Sequence, residues 1–164
     1  MIKKLLLAIM IALPMSVFAQ KFAVINTQEL MESMPELQTV KEQMEASSKK
    51  YEDEFAKLQE EFSKKFEEFQ ALEESTPQTI KERRMQEMQE LENKVNQFRQ
   101  TAAQDLQRQQ QQLMAPIQEK VVKAIQSAGA EGGYTFIFEN VVPLYTGTDV
   151  TDITATVKTR LGIK

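Results

Sequence analysis

The sequence predicts a mainly α-helical protein with a small β body, in which a long antiparallel helical hairpin stands on a β-rich base. Two long runs of apolar residues recur at steps of three and four, which is the period of an α-helix. Reflecting the chain about the Thr76–Pro77 bond superposes the first run on the second, and each matched pair of residue numbers adds to 153. The pairs are Phe62–Leu91, Leu58–Val95, Phe55–Phe98, Tyr51–Ala102 and Val40–Leu113. Strand-like segments before the first run and after the second predict the base.

The first nineteen residues have the layout of a secretory signal peptide. Two lysines precede an apolar run over residues 5–13, and Pro14 ends that run. Val17 and Ala19 then occupy the −3 and −1 positions of a cleavage site before Gln20. A membrane anchor is the alternative, but the run is shorter than the roughly 20 residues that a spanning helix needs. We therefore expect export to the periplasm and a mature single domain over residues 20–164.

The mature chain is acidic and lacks two residue types on which many enzyme sites depend. Removing Lys3 and Lys4 from 20 basic residues leaves 18 against 24 acidic ones, a net charge near −6. This charge disfavours general binding of nucleic acid, because phosphates are repelled. Cysteine and histidine are both absent, which removes disulfides, thiolate ligands and the commonest general base. No enzyme motif is present, so we expect no catalytic residues, no cofactor and no metal site.

The first elements of the mature chain are a strand and a long helix. Residues 21–26 alternate in the manner of a strand, and Thr27 is expected to cap the helix that follows. The apolar stripe of the first arm runs through residues 30–72. Pro35 either begins the long helix after a short first turn or bends it.

The second arm is expected from Pro77 to about Ala128. Thr76 has a hydroxyl suited to an N-cap, and Pro77 suits the first helical position, where its missing N–H has no partner. After Phe98 the apolar stripe steps by four, four and seven residues, which indicates local unwinding of a supercoil. Pro116 is expected to bend the helix because it removes a backbone hydrogen bond.

The C-terminal part changes from helix to short strands after Gly129. The expected elements are a turn at Gly132–Gly133, a strand at Tyr134–Phe138, a strand at Val141–Tyr145, a turn at Thr146–Asp149 and a helix at Asp152–Leu161. Pro143 places the second of these strands at an edge or an irregular point. Thr151 or Asp152 is expected to cap the last helix, and Gly162 to end it.

The body takes residues 20–35 and about 115–164, and the arm takes about 36–114 with its tip near residue 76. Three short strands and one short helix cannot cover both faces of a sheet, yet each buried apolar side chain stabilises by about 1.5–3 kcal/mol. Exposed strand edges also favour pairing. We therefore expect a symmetric oligomer. Its body residues are Phe22, Val24, Ile25, Phe136, Ile137, Phe138, Val141 and Leu144.

Four arm residues are candidates for contact with a client protein. Phe66 lies one residue away from the strict heptad position, which Lys65 occupies. Methionine suits adaptable contacts, although ordinary packing within the hairpin is the alternative for all four. Ser47 and Ser48 opposite Leu106 give the poorest part of the seam, where we expect flexibility. The candidates are Phe66, Phe69, Met85 and Met88.

Lys81, Arg83 and Arg84 form the main basic cluster near the tip. One interpretation is that they attract anionic lipid or an acidic client. The other is that they balance neighbouring carboxylates, namely Glu67, Glu68, Glu73 and Glu74.

Four segments carry a resemblance to a known family. They are KFAVINTQELMESMPE at the start, PIQEKVVKAI from Pro116, and GGYTFIFEN and LYTGTDVTDIT near the end. With the long helices, they resemble the Skp/OmpH family of periplasmic chaperones over essentially the whole mature chain. The resemblance implies a homotrimer, with tentacle-like hairpins on a β-rich trimerisation base enclosing a cavity. It also implies an ATP-independent holdase that shelters unfolded outer-membrane β-barrel proteins.

The acidic charge departs from the best-known members of that family, which are strongly basic. Contact with the membrane or with lipopolysaccharide, and charge-driven capture of clients, therefore stay open. Apolar contact along the arms is the mechanism that the resemblance leaves in place. The alternative function is a structural coiled-coil scaffold of the cell envelope, which would join fixed native partners rather than unfolded chains.

Overall fold

The computed structural model describes residues 20–163, and the expected signal peptide lies outside the described residues. The elements in chain order are β1 Phe22–Ile25, α1 Thr27–Glu32, α2 Pro35–Gln70, α3 Gln78–Gly132, β2 Phe136–Glu139, β3 Thr151–Asp152 and α4 Thr154–Leu161. The described chain is mostly helical with a small sheet, as the sequence predicts.

The three strands form one parallel sheet in the order β2–β1–β3. The register sets Phe22 of β1 opposite Phe136 of β2, and Ala23 of β1 opposite Thr151 of β3. Parallel strands need a long crossover between them, and the three helices α1 to α3 supply it between β1 and β2. Strands from the two ends of the chain therefore lie side by side.

The core lies between the inner face of the sheet, α1, α4 and the last turns of α3. Ala23 and Ile25 are buried in it from β1, as the alternation of a strand requires. Gly129 lets α3 approach β2 closely, because a Cβ at this position would lie 2.9 Å from Ile137 Cδ1. The largest fully buried side chains are Leu30, Ile153 and Val157.

The two long helices pack against each other in opposite directions. Tyr51 Oη donates a hydrogen bond of 3.2 Å to Asp105 Oδ2, and farther along α2 the Lys65 ammonium lies 3.7 Å from the earlier residue Glu87. The buried apolar residues along their contact are Val40, Leu58, Leu91 and Ala102. At about 1.5 Å per residue, α2 is about 54 Å long and α3 about 80 Å.

The predicted N-caps at Thr27 and Thr76 are each wrong by one residue. Asn26, rather than Thr27, caps α1, because its extended backbone lets Oδ1 accept a hydrogen bond of 3.0 Å from the Glu29 N–H. Pro77, rather than Thr76, holds the N-cap position of α3, with ψ 138° and no side-chain cap. Pro35 lies in the first turn of α2, so it begins that helix.

The second arm is longer than predicted, because α3 continues from Ala128 to Gly132. Gly129 stays helical, since its lack of a side chain permits the contact with β2. Gly133 then ends the helix at φ 66°, in the left-handed conformation that glycine tolerates. Pro116 lies inside α3, and the helix is continuous across it.

The predicted strand at Val141–Tyr145 is wrong, because this segment is irregular. Pro143 has no N–H for a ladder, and the Val142 N–H instead donates to the Glu139 carbonyl at 3.0 Å, which turns the chain. The third strand of the sheet is β3, which follows this loop.

The last helix begins at Thr154, two residues later than predicted. Ile153 holds the N-cap position, so the predicted cap at Thr151 or Asp152 is wrong, although Asp152 Oδ1 accepts a hydrogen bond of 2.8 Å from the Thr154 N–H. Gly162 ends the helix at φ 74°, as the sequence predicts.

Candidate functional site

The outer face of the sheet carries an aromatic cluster that the described chain leaves uncovered. Alternate residues of β1 point into the core, so the others point outward together with two phenylalanines of β2. The rings of Phe22 and Phe136 are nearly parallel with centroids 6.1 Å apart, and those of Phe136 and Phe138 are 5.9 Å apart. Phe136 is 54% exposed. We call Phe22, Val24, Phe136 and Phe138 the sheet patch.

A loop rich in apolar residues lies beside the sheet patch. Val141 and Tyr145 of this loop are largely exposed, and Leu144 is fully exposed. A hollow of about 320 Å³ lies between loop and patch, lined by Phe22, Val24, Phe138, Val142, Pro143, Tyr145, Thr146 and Val150. Apolar side chains exposed together in this way mark an interaction surface.

The structure divides the eight predicted oligomer-body residues into two groups. Ile25 is buried and Ile137 packs against the core, so both serve the interior of the chain. The other six lie in the sheet patch or in the loop: Phe22, Val24, Phe136, Phe138, Val141 and Leu144. The sequence does not separate these groups, because β1 and β2 carry apolar residues on both faces.

The four predicted client-contact residues lie near the far end of the helix pair. Phe66 and Met85 are exposed, at 43% and 55%, whereas Phe69 and Met88 are half-buried. Phe66 stacks on Phe62 with ring centroids 6.4 Å apart. Phe66 and Met85 are therefore open to contact, while Phe69 and Met88 are less accessible.

Two exposed apolar residues of α3 were missing from the predicted client-contact residues. Ile80 in the first turn of α3 is 44% exposed, and Val122 in the later part of α3 is 50% exposed. The signal for Val122 is its position directly after Val121, because neighbouring residues of a helix cannot share one face. Ile80 has no such signal in the sequence, because it lies before the regular apolar stripe of α3 begins.

Three hollows follow one another along one side of the helix pair. Residues 48, 52, 55, 59 and 63 of α2 share this side by helical spacing, as do residues 92, 95, 99, 103 and 106 of α3. The hollows measure about 630, 390 and 520 Å³ in order from the body towards the tip. We call this surface the arm groove. It is lined by Met44, Glu45, Ser48, Lys49, Tyr51, Glu52, Asp53, Phe55, Gln59, Glu60, Phe62, Ser63, Glu92, Val95, Phe98, Arg99, Ala102, Ala103 and Leu106.

The basic cluster near the tip is balanced by carboxylates. Glu87 accepts hydrogen bonds from Arg84 at 2.9 Å and from Arg83 at 3.1 Å, and Arg84 also lies 3.9 Å from Glu68. The hydrogen bond from Arg84 is the main reason why the pKa of Glu87 is lowered from its usual value. Lys81 donates to the carbonyl of Glu74 at 2.8 Å. The interpretation as charge balance therefore holds for Glu68, with Glu87 as a partner that the sequence did not indicate.

Ion pairs also join different helices at the end of the helix pair nearest the sheet. A hydrogen bond from Lys120 of α3 lowers the pKa of Glu36 in α2, and one from Arg160 of α4 lowers the pKa of Glu131 in α3. Within the described residues, the second oxygen of Glu36 is buried without a hydrogen-bond partner. In the middle of the helix pair, removal from solvent and then the hydrogen bond to Asp105 raise the pKa of Tyr51.

Neither a cluster of metal-ligating side chains nor a membrane-spanning helix occurs in the part of the chain that the structure describes. Across residues 20–163, no group of three or more histidine, cysteine, aspartate or glutamate side chains is placed to bind a metal ion. No helix in the same range has the length and apolar character needed to span a membrane. The sheet patch, the neighbouring loop and the arm groove define a class of elongated helical protein with exposed apolar surfaces.

Comparison of the chain with family models identifies its family. The model described as outer membrane protein (OmpH-like) matches residues 21–161, which is nearly the whole described chain. The chain therefore belongs to the OmpH-like family, as its resemblance to Skp/OmpH proteins predicts. Members of this family are periplasmic chaperones rather than enzymes. A search of curated proteins found no match.

Proposed function

We propose that this protein is an ATP-independent holdase, which binds unfolded outer-membrane β-barrel proteins and prevents their aggregation. The observation that carries the proposal is the exposure of apolar side chains along the α2–α3 pair, at Phe66, Met85 and the arm groove. A holdase needs many weak apolar contacts, since it must retain an unfolded chain without selecting a single conformation. The family suggests the same class of client, namely outer-membrane proteins.

A homotrimer is the assembly that we propose for the working protein. The sheet patch presents three phenylalanine rings to solvent in one chain, and contact between copies would bury them. Three helix pairs would then stand on a common β-rich base and enclose a cavity. Because the pairs are tethered to one base, their weak contacts would act on a client at high effective concentration.

The proposed place of action is the periplasm. A signal peptide would direct export of the chain and would be cleaved before Gln20. The composition of the mature chain agrees with this location, because a chain without cysteine is indifferent to the oxidising conditions there. We propose no role in nucleic-acid binding, since the mature net charge is negative.

The test is suppression of aggregation without nucleotide. An outer-membrane β-barrel protein is diluted from denaturant into buffer with the mature protein, and light scattering follows its aggregation. We expect suppression to saturate near one trimer per client. Unchanged scattering, with an oligomer verified as folded by circular dichroism and sedimentation, would overturn the holdase proposal and favour a scaffold that joins native envelope proteins.

A further inference from the structure

We propose that the arm groove prefers segments of unfolded polypeptide in which lysine or arginine residues alternate with apolar residues. The inference rests on the proposed holdase function and adds to it the charge class of the client. It arises from the combination of an apolar floor with carboxylates that form no ion pair within the described residues.

The floor of the arm groove is apolar and uneven. Tyr51, Phe55, Phe62, Val95 and Phe98 are half-buried, so each keeps part of its side chain in contact with solvent. Small residues between them leave the hollows open, namely Ser48, Ser63, Ala102 and Ala103. An apolar side chain of a client gains about 25 cal/mol for each Å² of apolar surface that it buries there.

The rim of the arm groove carries excess negative charge. Five carboxylates line it against two cations, Lys49 and Arg99, which gives a net charge of −3. The guanidinium of Arg99 lies 5.8 Å from the ring centroid of Phe55, so this cation is placed over the floor. The five carboxylates are those of Glu45, Glu52, Asp53, Glu60 and Glu92.

All five carboxylates of the rim are exposed to solvent. None of them forms an ion pair within residues 20–163, whereas Glu68 and Glu87 near the tip are paired with lysine or arginine. Glu61 and Glu90 on the opposite side of the helix pair also form no ion pair in that range, but they line their hollow together with Lys65 and Lys94. The negative potential of the groove is therefore not cancelled locally. A client cation is attracted to it, and a client carboxylate is repelled.

Lysine and arginine suit this surface for a second reason. Their aliphatic stems cover apolar surface while the charged ends reach the rim. The groove extends over 20 residues of α2, from Met44 to Ser63, which is about 30 Å at 1.5 Å per residue. An extended client segment of about nine residues has this length at about 3.3 Å per residue.

The test compares two disordered polypeptides that share length and apolar sequence but carry lysine or glutamate at the same alternate positions. Each is labelled with a fluorophore, and fluorescence anisotropy measures its binding to the mature oligomer at low and high salt. We expect the lysine polypeptide to bind more tightly, with the difference reduced at about 0.5 M salt, where charges on the surface are screened.

A matched pair of double variants localises the effect. E60Q/E92Q removes two carboxylates from the arm groove. E61Q/E90Q removes two from the opposite side of the same stretch, where the side chains line a separate hollow with Lys65 and Lys94. Both variants change the net charge equally. We expect E60Q/E92Q alone to weaken binding of the lysine polypeptide, by about three- to tenfold for two exposed charges.

Each outcome bears on either the inference or the proposed function. Equal affinity for the two polypeptides, or equal weakening by the two double variants, would overturn the preference of the arm groove for cations. Aggregation of a β-barrel protein would still be suppressed in that case, because the holdase proposal needs only apolar contact. Failure to bind either polypeptide together with failure to suppress aggregation would overturn the function itself.

Discussion

At the scale of single residues, the body depends on a few side chains that connect its elements. Thr154 does so with hydrogen bonds, because its hydroxyl accepts from the Asn26 N–H at 3.0 Å and donates to Asp152 Oδ1 at 2.6 Å. Leu30 and Val157 do so by packing, since neither has exposed surface. In so small a body, loss of one such side chain removes a large share of the contact between helix and sheet.

We expect Leu30→Ala to lower the free energy of unfolding by about 2–5 kcal/mol, because it leaves a cavity that the surrounding elements cannot fill. Urea denaturation of the mature protein at a fixed concentration measures this change. Ile80→Ala is the control, since that side chain is 44% exposed and surface substitutions usually change stability by less than about 0.5 kcal/mol. A similar small change for both variants would contradict the assignment of Leu30 to the core.

The ion pair between Glu36 and Lys120 predicts sensitivity to acid. Folding lowers the pKa of Glu36, mainly through the hydrogen bond from Lys120. Its contribution to stability is therefore fully present above the unfolded pKa and is lost as the pH falls through the folded pKa. We expect Glu36→Gln to be less stable than the wild type at neutral pH, and to lose less stability between about pH 5 and pH 3.

Denaturation at a series of pH values tests this expectation for Glu36. Glu45→Gln provides the control. This substitution removes the same charge from α2, but Glu45 forms no ion pair within the described chain. Parallel pH profiles for the two variants would show that the pair with Lys120 does not contribute to stability.

At the scale of elements, the quality of the contact between α2 and α3 varies along its length. Leu58 and Leu91 are buried where large apolar residues meet. Near Ser48 and Leu106, two hollows of about 390 and 630 Å³ open on one side of the contact. Because fewer apolar side chains are buried there, we expect this stretch to open locally more often than the body.

Hydrogen exchange measures that difference directly. Amides of residues 44–52 and 102–108 are expected to exchange faster than those of β1, and Ser48→Leu is expected to slow them, since the new side chain fills part of the hollows. Ala46→Leu is the matched control. Ala46 is exposed and lies about half a helical turn from Ser48, so this substitution adds the same side chain outside the contact. Equal protection in the body and in this stretch, or equal slowing by both variants, would contradict the prediction.

The same elements show how far the sequence determines the fold. Heptad spacing predicts both long helices, since the period of apolar residues is a local property. Exact ends depend on tertiary contacts: α3 passes Gly129 because β2 packs against it at that point, with Ile137 as the neighbour. The strand predicted at 141–145 fails for a similar reason, because an apolar run indicates burial but not the partner that provides it, and Pro143 prevents regular pairing.

At the scale of the whole molecule, the sheet has apolar residues on both faces but a covering layer on only one. The inner face packs on α1, α3 and α4, and the sheet patch on the outer face stays open in one chain. The sequence predicts an excess of apolar residues in the body, yet it cannot assign Ile25 to the inner face and Phe22 to the outer one. That assignment requires the position of the helices, which the structure supplies.

We expect Phe136→Glu to dissociate the proposed trimer, because contact between copies would bury a carboxylate among aromatic rings. The concentration needed for assembly is expected to rise at least about tenfold, which corresponds to about 1.4 kcal/mol. Sedimentation over a range of protein concentrations measures the shift. Met85→Glu provides the control, since it adds the same charge at an exposed site on α3, far along the chain from the sheet.

The same two variants separate assembly from client contact. If tethering three helix pairs to one base produces the affinity for unfolded chains, Phe136→Glu will lose suppression of aggregation although each chain keeps its helices and its arm groove. Met85→Glu will remain a trimer and lose only part of the activity, because one exposed contact per arm is altered. Circular dichroism verifies that both variants stay folded. Full suppression by a dissociated Phe136→Glu variant would mean that a single helix pair holds the client, and that the oligomer has another purpose.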